Sequence, residues 1–275
     1  SGRYRHSGEL VWRERIESGE VTIDGAPARA DTPALPGAVL AWARPPWHEP
    51  EVPGGYAILY RDEHVLAVAK PAGLPSMPAG GFLEHTLLTL VQRRHPQAAA
   101  VHRLGRWTSG VILFACSATA RAGLARSLRR GAWRKRYRAL ASGKPEATKW
   151  VVESPIGAVP HGILGTVHAA SPEGRPARTE IALMERDEGT FLADVFISTG
   201  KPHQIRIHLA ASGHPLVGDP LYPIGGVPPV GTIALPGDPG YHLHAAEIEV
   251  EHPAGRGSLC VECAPPPVLR CAREA

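Results

Sequence analysis

The chain has little of three things that mark special protein classes: cysteine, long apolar runs and an apolar N-terminal core. Its 4 cysteines in 275 residues are too few for a disulfide scaffold. No apolar run approaches the about 18 residues that a membrane-spanning helix requires. The first residues lack a signal-peptide core, so we predict a cytoplasmic location. With 43% hydrophobic residues, the chain can build one large core, or a main domain with a small appendage.

Acidic residues are absent from a long internal stretch. Between Glu84 and Glu146 the chain has no aspartate or glutamate. The basic residues of this stretch are Arg93, Arg94, Arg103, Arg106, Arg121, Arg126, Arg129, Arg130, Arg134, Lys135, Arg136, Arg138 and Lys144. A stretch with only positive charges favours binding to a phosphate backbone, because each phosphate that it neutralises releases counterions. The alternative is a solvated helix face, but such faces usually mix signs, so we predict a nucleic-acid partner.

Signatures of other enzyme classes are missing too. The chain has neither a Gly-x-Ser-x-Gly turn nor a phosphate-binding glycine loop. One zinc-like pattern remains, in which Cys260-x-x-Cys263 combines with Cys271 and the upstream His252. Residues 259–263 have the pattern of a strand, where positions three apart face opposite sides, so we predict no metal site.

The N-terminal 50 residues differ from the rest. Residues 20–25, with Asp24-Gly25 as a turn, predict a small β-rich extension over residues 1–50. Two interpretations stay open: a degenerate RNA-binding domain, or a plain β-extension of the main domain. The prolines and glycines of residues 44–55 predict a linker. Residues 51–275 then form the main domain.

Helix and strand signals alternate irregularly in the main domain. Apolar runs on both sides of residues 61–64 predict a hairpin, and residues 137–141 and 191–198 predict strands. Ser117 predicts the start of a helix that Gly131 ends. Pro202 suits the first turn of another helix, which Gly213 ends. This order favours a mixed α/β or α+β domain over a doubly wound sheet.

Five separated stretches match the motifs of one family, in the family's order. They are residues 58–75 with K-P-A-G at 70–73, H-R-L-G-R-W-T-S-G at 102–110, K-R-Y-R-A at 135–139, T-G-K-P-H-Q-I-R-I-H-L at 199–209 and G-H-P-L-V-G-D-P-L-Y at 213–222. The chain thus resembles the RluA-like pseudouridine synthases, whose signature is H-R-L-D-R-x-T-S-G. The resemblance implies the pseudouridine synthase fold, with a mixed, largely antiparallel central sheet flanked by helices and loops.

The resemblance also implies a reaction. Pseudouridine synthases detach uracil from its ribose, rotate the base and rejoin it through carbon, after the base has been flipped out of the RNA. It implies a ribosomal or transfer RNA as substrate, and neither a metal nor an organic cofactor. By the same resemblance Arg103 takes part in flipping, Tyr137 packs against the base and helps to deprotonate it, and Arg206 pairs with the catalytic carboxylate.

Position 105 departs from the signature, because Gly105 stands where the family has its catalytic aspartate. Glycine has no group that can attack the sugar or take its proton, and losing such a residue typically costs about 10⁴- to 10⁶-fold in rate. Arg206 would also keep a buried charge without its partner. Three explanations stay open: a natural branch that uses another carboxylate or another chemistry, an RNA-binding descendant without catalysis, and a deliberate replacement.

The remaining polar residues of these stretches are predicted RNA contacts: His102, Arg106, Thr108, Arg129, Arg130, Arg134, Lys135, Lys201 and His203. Taken singly, the site residues have plainer explanations, with Tyr137 as a core tyrosine, Arg103 as a surface arginine and Asp219 as a turn residue. The order of the motifs favours uridine isomerisation in RNA over RNA binding without turnover. No heptad seam calls for a protein partner, so we expect a monomer.

Overall fold

The computed structural model describes residues 8–43, 45 and 48–274. The chain divides into two compact units, Ser1–His48 and Glu49–Ala275. Three residues of the predicted linker, at positions 44, 46 and 47, lie outside the described residues. Residues 48–55 form no helix or strand, in agreement with their prolines and glycines.

The first unit combines a helix with a small antiparallel sheet. Its elements are α1 (Glu9–Glu17), β1 (Val21–Ile23), β2 (Ala26–Pro27) and β3 (Leu40–Trp42), with β1 between β2 and β3. The predicted Asp24-Gly25 turn joins β1 to β2, with the φ angles of 49° and 83° that a tight hairpin turn requires. The sequence pattern does not predict α1, because this helix has no buried residue and so no apolar period marks it.

The second unit is built on a ten-stranded sheet. Its strands are β4 (Ala57–Arg61), β5 (Val65–Lys70), β6 (Ala99–Ala100), β7 (Ser109–Ala115), β8 (Arg134–Ser142), β9 (Lys149–Val152), β12 (Thr179–Asp187), β13 (Thr190–Ile197), β14 (Leu243–Glu251) and β15 (Ser258–Glu262), while β10 (Ile156–His161) and β11 (Gly165–Ala170) form a separate hairpin. Its helices are α2 (Leu87–Arg94), α3 (Ala118–Arg129), α4 (Gln204–Ala211) and two short 3-10 turns at Pro267–Leu269 and Ala272–Glu274.

The order of the sheet is β4-β5-β7-β14-β8-β13-β12-β9, with β15 paired to β14 and β6 to β7. Among the described strands, only β7 and β14 run parallel to each other. The nearly continuous apolar run of β7 is explained by its place inside the sheet, where both of its faces are covered. The predicted α+β class with a largely antiparallel sheet is therefore confirmed.

Helix α3 follows its predicted signals. Ser117 Oγ accepts a hydrogen bond from the N–H of Ala120 at 3.1 Å, and Gly131 follows the helix with a φ of 70°. Helix α4 begins later than predicted. Pro202 lies before it, because His203 adopts a left-handed φ of 56° and the first helical residue is Gln204.

The cysteine pattern behaves as its strand pattern predicts. Cys260 lies on β15, where it is exposed, whereas Cys271 is buried elsewhere. Within the described part of the chain, Cys260 lies near two carboxylates, with ligand atoms of Glu247, Cys260 and Glu262 within 4.8 Å of one another. Glu247 already accepts two hydrogen bonds from Arg136. Among the described residues, no helix is long and apolar enough to cross a membrane.

Candidate active site

A cavity of about 480 Å³ in the second unit brings the predicted site residues together. Gly105 and Arg103 line it from the loop before β7, Tyr137 from β8 and Arg206 from α4. The predicted RNA contacts that also line it are His102, Thr108, Arg129, Lys135, Lys201 and His203. Arg106, Arg130 and Arg134 do not line this cavity.

The loop that carries Gly105 is fixed by its neighbours in the sheet. At its end, Gly110 pairs with Ala245 of the parallel strand β14. A Cβ atom on Gly110 would lie 2.1 Å from the carbonyl oxygen of Ala245, and the φ of 109° also requires glycine. This glycine therefore lets β14 approach closely enough to bring Tyr241 and Leu243 to the cavity.

The K-P-A-G lysine fixes the same loop from the other side. The buried Nζ of Lys70 donates hydrogen bonds to the carbonyls of Pro71, Leu74 and Arg106 at 2.8–2.9 Å. Three donations need all three protons of the ammonium group, so the lysine is charged here although burial lowers its pKa to about 7. Lys70 thus ties the β5 turn to the Gly105 loop.

We expect Lys70→Met to lower the free energy of unfolding by about 1–3 kcal/mol, since buried carbonyls would lose their donor. Urea denaturation followed by fluorescence measures this change. Lys144→Met, at a position outside the cavity lining, is the control and should change little. Equal stability of the Lys70 variant and the unaltered protein would show that the lysine does not hold the loop.

Arg206 has a partner, contrary to the expectation from Gly105. Its Nε and Nη2 donate to the two carboxylate oxygens of Asp219 at 2.7 and 2.8 Å, and its Nη1 donates to the carbonyl of Pro236 at 2.8 Å. Asp219 also forms the predicted turn, because its Oδ1 accepts from the N–H groups of Leu221 and Tyr222. The predicted orphan charge is wrong: a carboxylate from a later turn neutralises Arg206.

Tyr241, which the sequence analysis did not single out, lies directly beside Gly105. A Cβ atom on Gly105 would be 2.7 Å from the Tyr241 hydroxyl. The ring of Tyr241 stacks on the Arg206 guanidinium, with 4.1 Å between the carbon Cζ and the ring centroid. Tyr241 lies outside the five motif stretches, two residues before β14, so no motif singles it out.

Tyr137 points a free hydroxyl at the cavity. Within the described part of the chain, no group forms a hydrogen bond with this hydroxyl, and it is not sealed from solvent. Burial raises the pKa of Tyr137 above its usual value. The hydroxyl therefore keeps its proton at neutral pH, which suits a hydrogen-bond donor better than a base.

The two cavity histidines are neutral. Burial lowers the pKa of His102 and of His203 to about 3, with Lys135 and Arg206 respectively adding to the effect. His102 Nε2 accepts a hydrogen bond from the N–H of Leu113 at 3.0 Å. The Tyr222 hydroxyl donates to the carbonyl of His168, so His203 Nδ1 must donate to that hydroxyl, and its Nε2 is left as an acceptor.

The charges of the cavity are of one sign. The cationic lining residues are Arg103, Arg129, Lys135, Lys201 and Arg206, and no carboxylate is among the described lining residues. The acid-free stretch is nevertheless not one continuous RNA surface. Arg136 pairs with Glu247, and the buried Arg138 pairs with Asp194 and Glu274, so these two arginines stabilise the fold.

Comparison with known proteins shows to which family the chain is similar. The model of the family described as RNA pseudouridylate synthase matches residues 64–211. A Synechocystis protein described as an uncharacterized RNA pseudouridine synthase is 40% identical, and the match covers 98% of this chain and 93% of the relative. The ribosomal large subunit pseudouridine synthase D of Pseudomonas aeruginosa is 33% identical over 87% of this chain and 78% of its own length.

The fold agrees with the sequence matches. The solved structure of human RNA pseudouridylate synthase domain containing 1 superposes with a TM-score of 0.59 at 25% identity. The superposition covers 80% of this chain and 87% of the human one. The matched residues 64–211 include Gly105, Tyr137 and Arg206, whereas Tyr241 lies outside them.

Proposed function

Because the chain belongs to the RNA pseudouridylate synthase family, we propose that its cavity takes up a uridine flipped out of a structured RNA and isomerises it to pseudouridine. The observation that carries the proposal is the shared cavity of Gly105, Tyr137 and Arg206, which three distant segments bring together. Its four cationic side chains other than Arg206, with no carboxylate among the described lining residues, suit the anionic backbone of RNA.

The lining suggests a division of roles. Arg103 is exposed at the cavity, where its guanidinium can hold the place that the flipped base leaves in the RNA. Tyr137 offers a ring face for the uracil and a protonated hydroxyl for one of its polar atoms. Arg206, whose charge Asp219 neutralises, still has guanidinium N–H groups that can donate to the uracil as its bond to the ribose breaks.

The absence of a carboxylate at position 105 does not leave Arg206 with an unpaired charge. In a site whose arginine depended on a carboxylate at position 105, glycine would leave a buried charge unpaired at a cost of several kcal/mol. Here Asp219 supplies that carboxylate. The competing interpretation, RNA binding without turnover, rests on the missing carboxylate in the cavity lining, and activity measurements separate the two.

The proposed substrate is a ribosomal or transfer RNA. The Pseudomonas relative is named for the large ribosomal subunit, and this favours ribosomal RNA as the first substrate to test. The proposal includes a cytoplasmic monomer that requires no protein partner and no metal or organic cofactor. It also includes a contribution of residues 1–50 to RNA binding.

Release of tritium tests the reaction directly. Unmodified ribosomal and transfer RNA transcripts, labelled at uracil C5, are incubated separately with the protein, because rejoining through C5 frees the hydrogen there. We expect release from at least one of the two RNA classes, and none from an Arg206→Met variant. Stable RNA binding without release from either class would contradict the enzyme and favour the binding protein.

Lys135 should make RNA binding depend on pH. Its Nζ has no hydrogen bond or ion pair within the described part of the chain, and burial lowers its pKa to about 8. The charge is present below this pH and lost above it. If Lys135 contacts a phosphate, the slope of log affinity against log salt concentration should be less steep, by about one unit, at pH 9 than at pH 7.

A Lys135→Arg variant is the matched control, because a guanidinium stays charged at both pH values. Its salt slope should be the same at pH 7 and pH 9, as measured by filter binding. An identical change of slope in the variant would assign the pH effect to another group.

A further inference from the structure

The space beside Gly105 is occupied by a side chain from a distant part of the sequence. A Cβ atom on Gly105 would meet the Tyr241 hydroxyl at 2.7 Å and Thr108 Oγ1 at 3.3 Å, whereas the ring carbon Cζ of Tyr241 would be 4.0 Å away. A contact of 2.7 Å is too short for a carbon and an oxygen, while 4.0 Å is an ordinary one. The Tyr241 hydroxyl therefore stands where a side chain on residue 105 would begin.

Tyr241 is held firmly in this position. Only 4% of its surface is exposed, and its ring lies on the guanidinium of Arg206, which Asp219 fixes in turn. Thr108 Oγ1 is 3.4 Å from the phenolic oxygen, which is long for a hydrogen bond between hydroxyls. The hydroxyl thus keeps hydrogen-bonding capacity for a bound molecule.

Other polar groups of the cavity are less suited to this place. His102 and His203 each use one ring nitrogen in a bond to the fold, and both are neutral. Tyr137 approaches from β8, and the proposed function assigns its ring to the uracil. No carboxylate is available among the described lining residues. The polar atom nearest to the Cβ position of residue 105 is the Tyr241 hydroxyl at 2.7 Å, followed by Thr108 Oγ1 at 3.3 Å.

We propose that Tyr241 is a catalytic residue of this site, whose hydroxyl hydrogen-bonds to the ribose of the flipped nucleotide from the place that a longer residue 105 would fill. This inference rests on the proposed function. It also makes Gly105 and Tyr241 a matched pair, because a side chain at position 105 and a hydroxyl at position 241 exclude each other. A tyrosine at position 241 in this conformation therefore requires glycine at position 105.

The steric part can be tested without any activity. With Tyr241 present, Gly105→Ala should lower the Tm by roughly 2–10 °C, since the added carbon overpacks the site. With Tyr241→Phe as the background, the same substitution should cost less than half as much, because the nearest ring atom is then 4.0 Å away. Equal losses in the two backgrounds would overturn the pairing.

The catalytic part is tested by turnover and binding together. Tyr241→Phe should lower tritium release by about 10²-fold or more, as removal of a single transition-state donor does. Its Kd for the same RNA, measured by filter binding, should stay within about threefold, because phenylalanine keeps the ring contact with Arg206 and the lost hydrogen bond acts mainly in the transition state. Tyr60→Phe is the matched control: Tyr60 bonds to Asp62 and does not line the cavity, so release should be unchanged.

The outcomes separate the two proposals. Active unaltered protein with an equally active Tyr241→Phe variant overturns the role of Tyr241 and leaves the proposed function intact. Parallel losses of release and of RNA affinity would make Tyr241 a binding residue and also overturn the catalytic assignment. If the unaltered protein releases no tritium from either RNA class, both the proposed function and the catalytic role of Tyr241 are overturned.

Discussion

Asp219→Ala is expected to destabilise the protein by about 3–5 kcal/mol, because it leaves the Arg206 guanidinium buried without a partner. The side chains of Arg206 and Asp219 are 3% and 1% exposed, and their two hydrogen bonds are 2.7 and 2.8 Å long. The N–H groups of Leu221 and Tyr222 would lose their acceptor as well. Urea denaturation gives the free energy of unfolding, and the variant should also lose activity, because Arg206 lines the cavity.

Two further variants show whether burial of the charge is the cause. Glu153→Gln breaks the pair with Arg178, whose side chains are 65% and 48% exposed, and should cost only about 0–1 kcal/mol. The double variant Arg206→Met, Asp219→Leu removes both charges and should be more stable than Asp219→Ala alone. If Asp219→Ala and Glu153→Gln cost the same, the buried pair does not stabilise this site.

Tyr137→Phe is expected to lower turnover by about 10²- to 10³-fold with little change in RNA affinity, because it removes one positioned donor and keeps the ring. Burial raises the pKa of Tyr137, so the hydroxyl keeps its proton across the neutral pH range, as the proposed hydrogen bond to the uracil requires. The rate of the unaltered protein should accordingly show no step caused by ionisation of this group between pH 6 and 9. Tritium release under single-turnover conditions measures the rate.

Tyr137→Ala separates stacking from hydrogen bonding. It should also weaken RNA binding by about 1–3 kcal/mol, the usual contribution of stacking one base on an aromatic ring. Trp150→Ala, which removes a ring outside the cavity lining, controls for general loss of packing. If the Phe and Ala variants bind RNA with equal affinity, the uracil does not stack on the ring of Tyr137.

Local patterns were sufficient for much of the fold. The hairpin of β4 and β5, the capped helix α3 and the strands β8 and β13 all follow from short-range signals, such as a turn, a cap or an apolar run. The start of α4 was misplaced, because His203 adopts a left-handed φ of 56° between Pro202 and the first helical residue, and no local signal predicts that conformation. Helix α1 was missed, because it buries no side chain.

The sequence by itself determined the family, since the order of its motifs is written along the chain and needs no coordinates. Only the tertiary structure decided how the site is completed: Asp219 neutralises Arg206, and Tyr241 fills the space beside Gly105. These partners belong to different segments, and which of their side chains meet depends on how β14 and the turn after α4 pack against the loop. Periodicity and spacing carry no information on such contacts, because they describe only neighbours within one helix or strand.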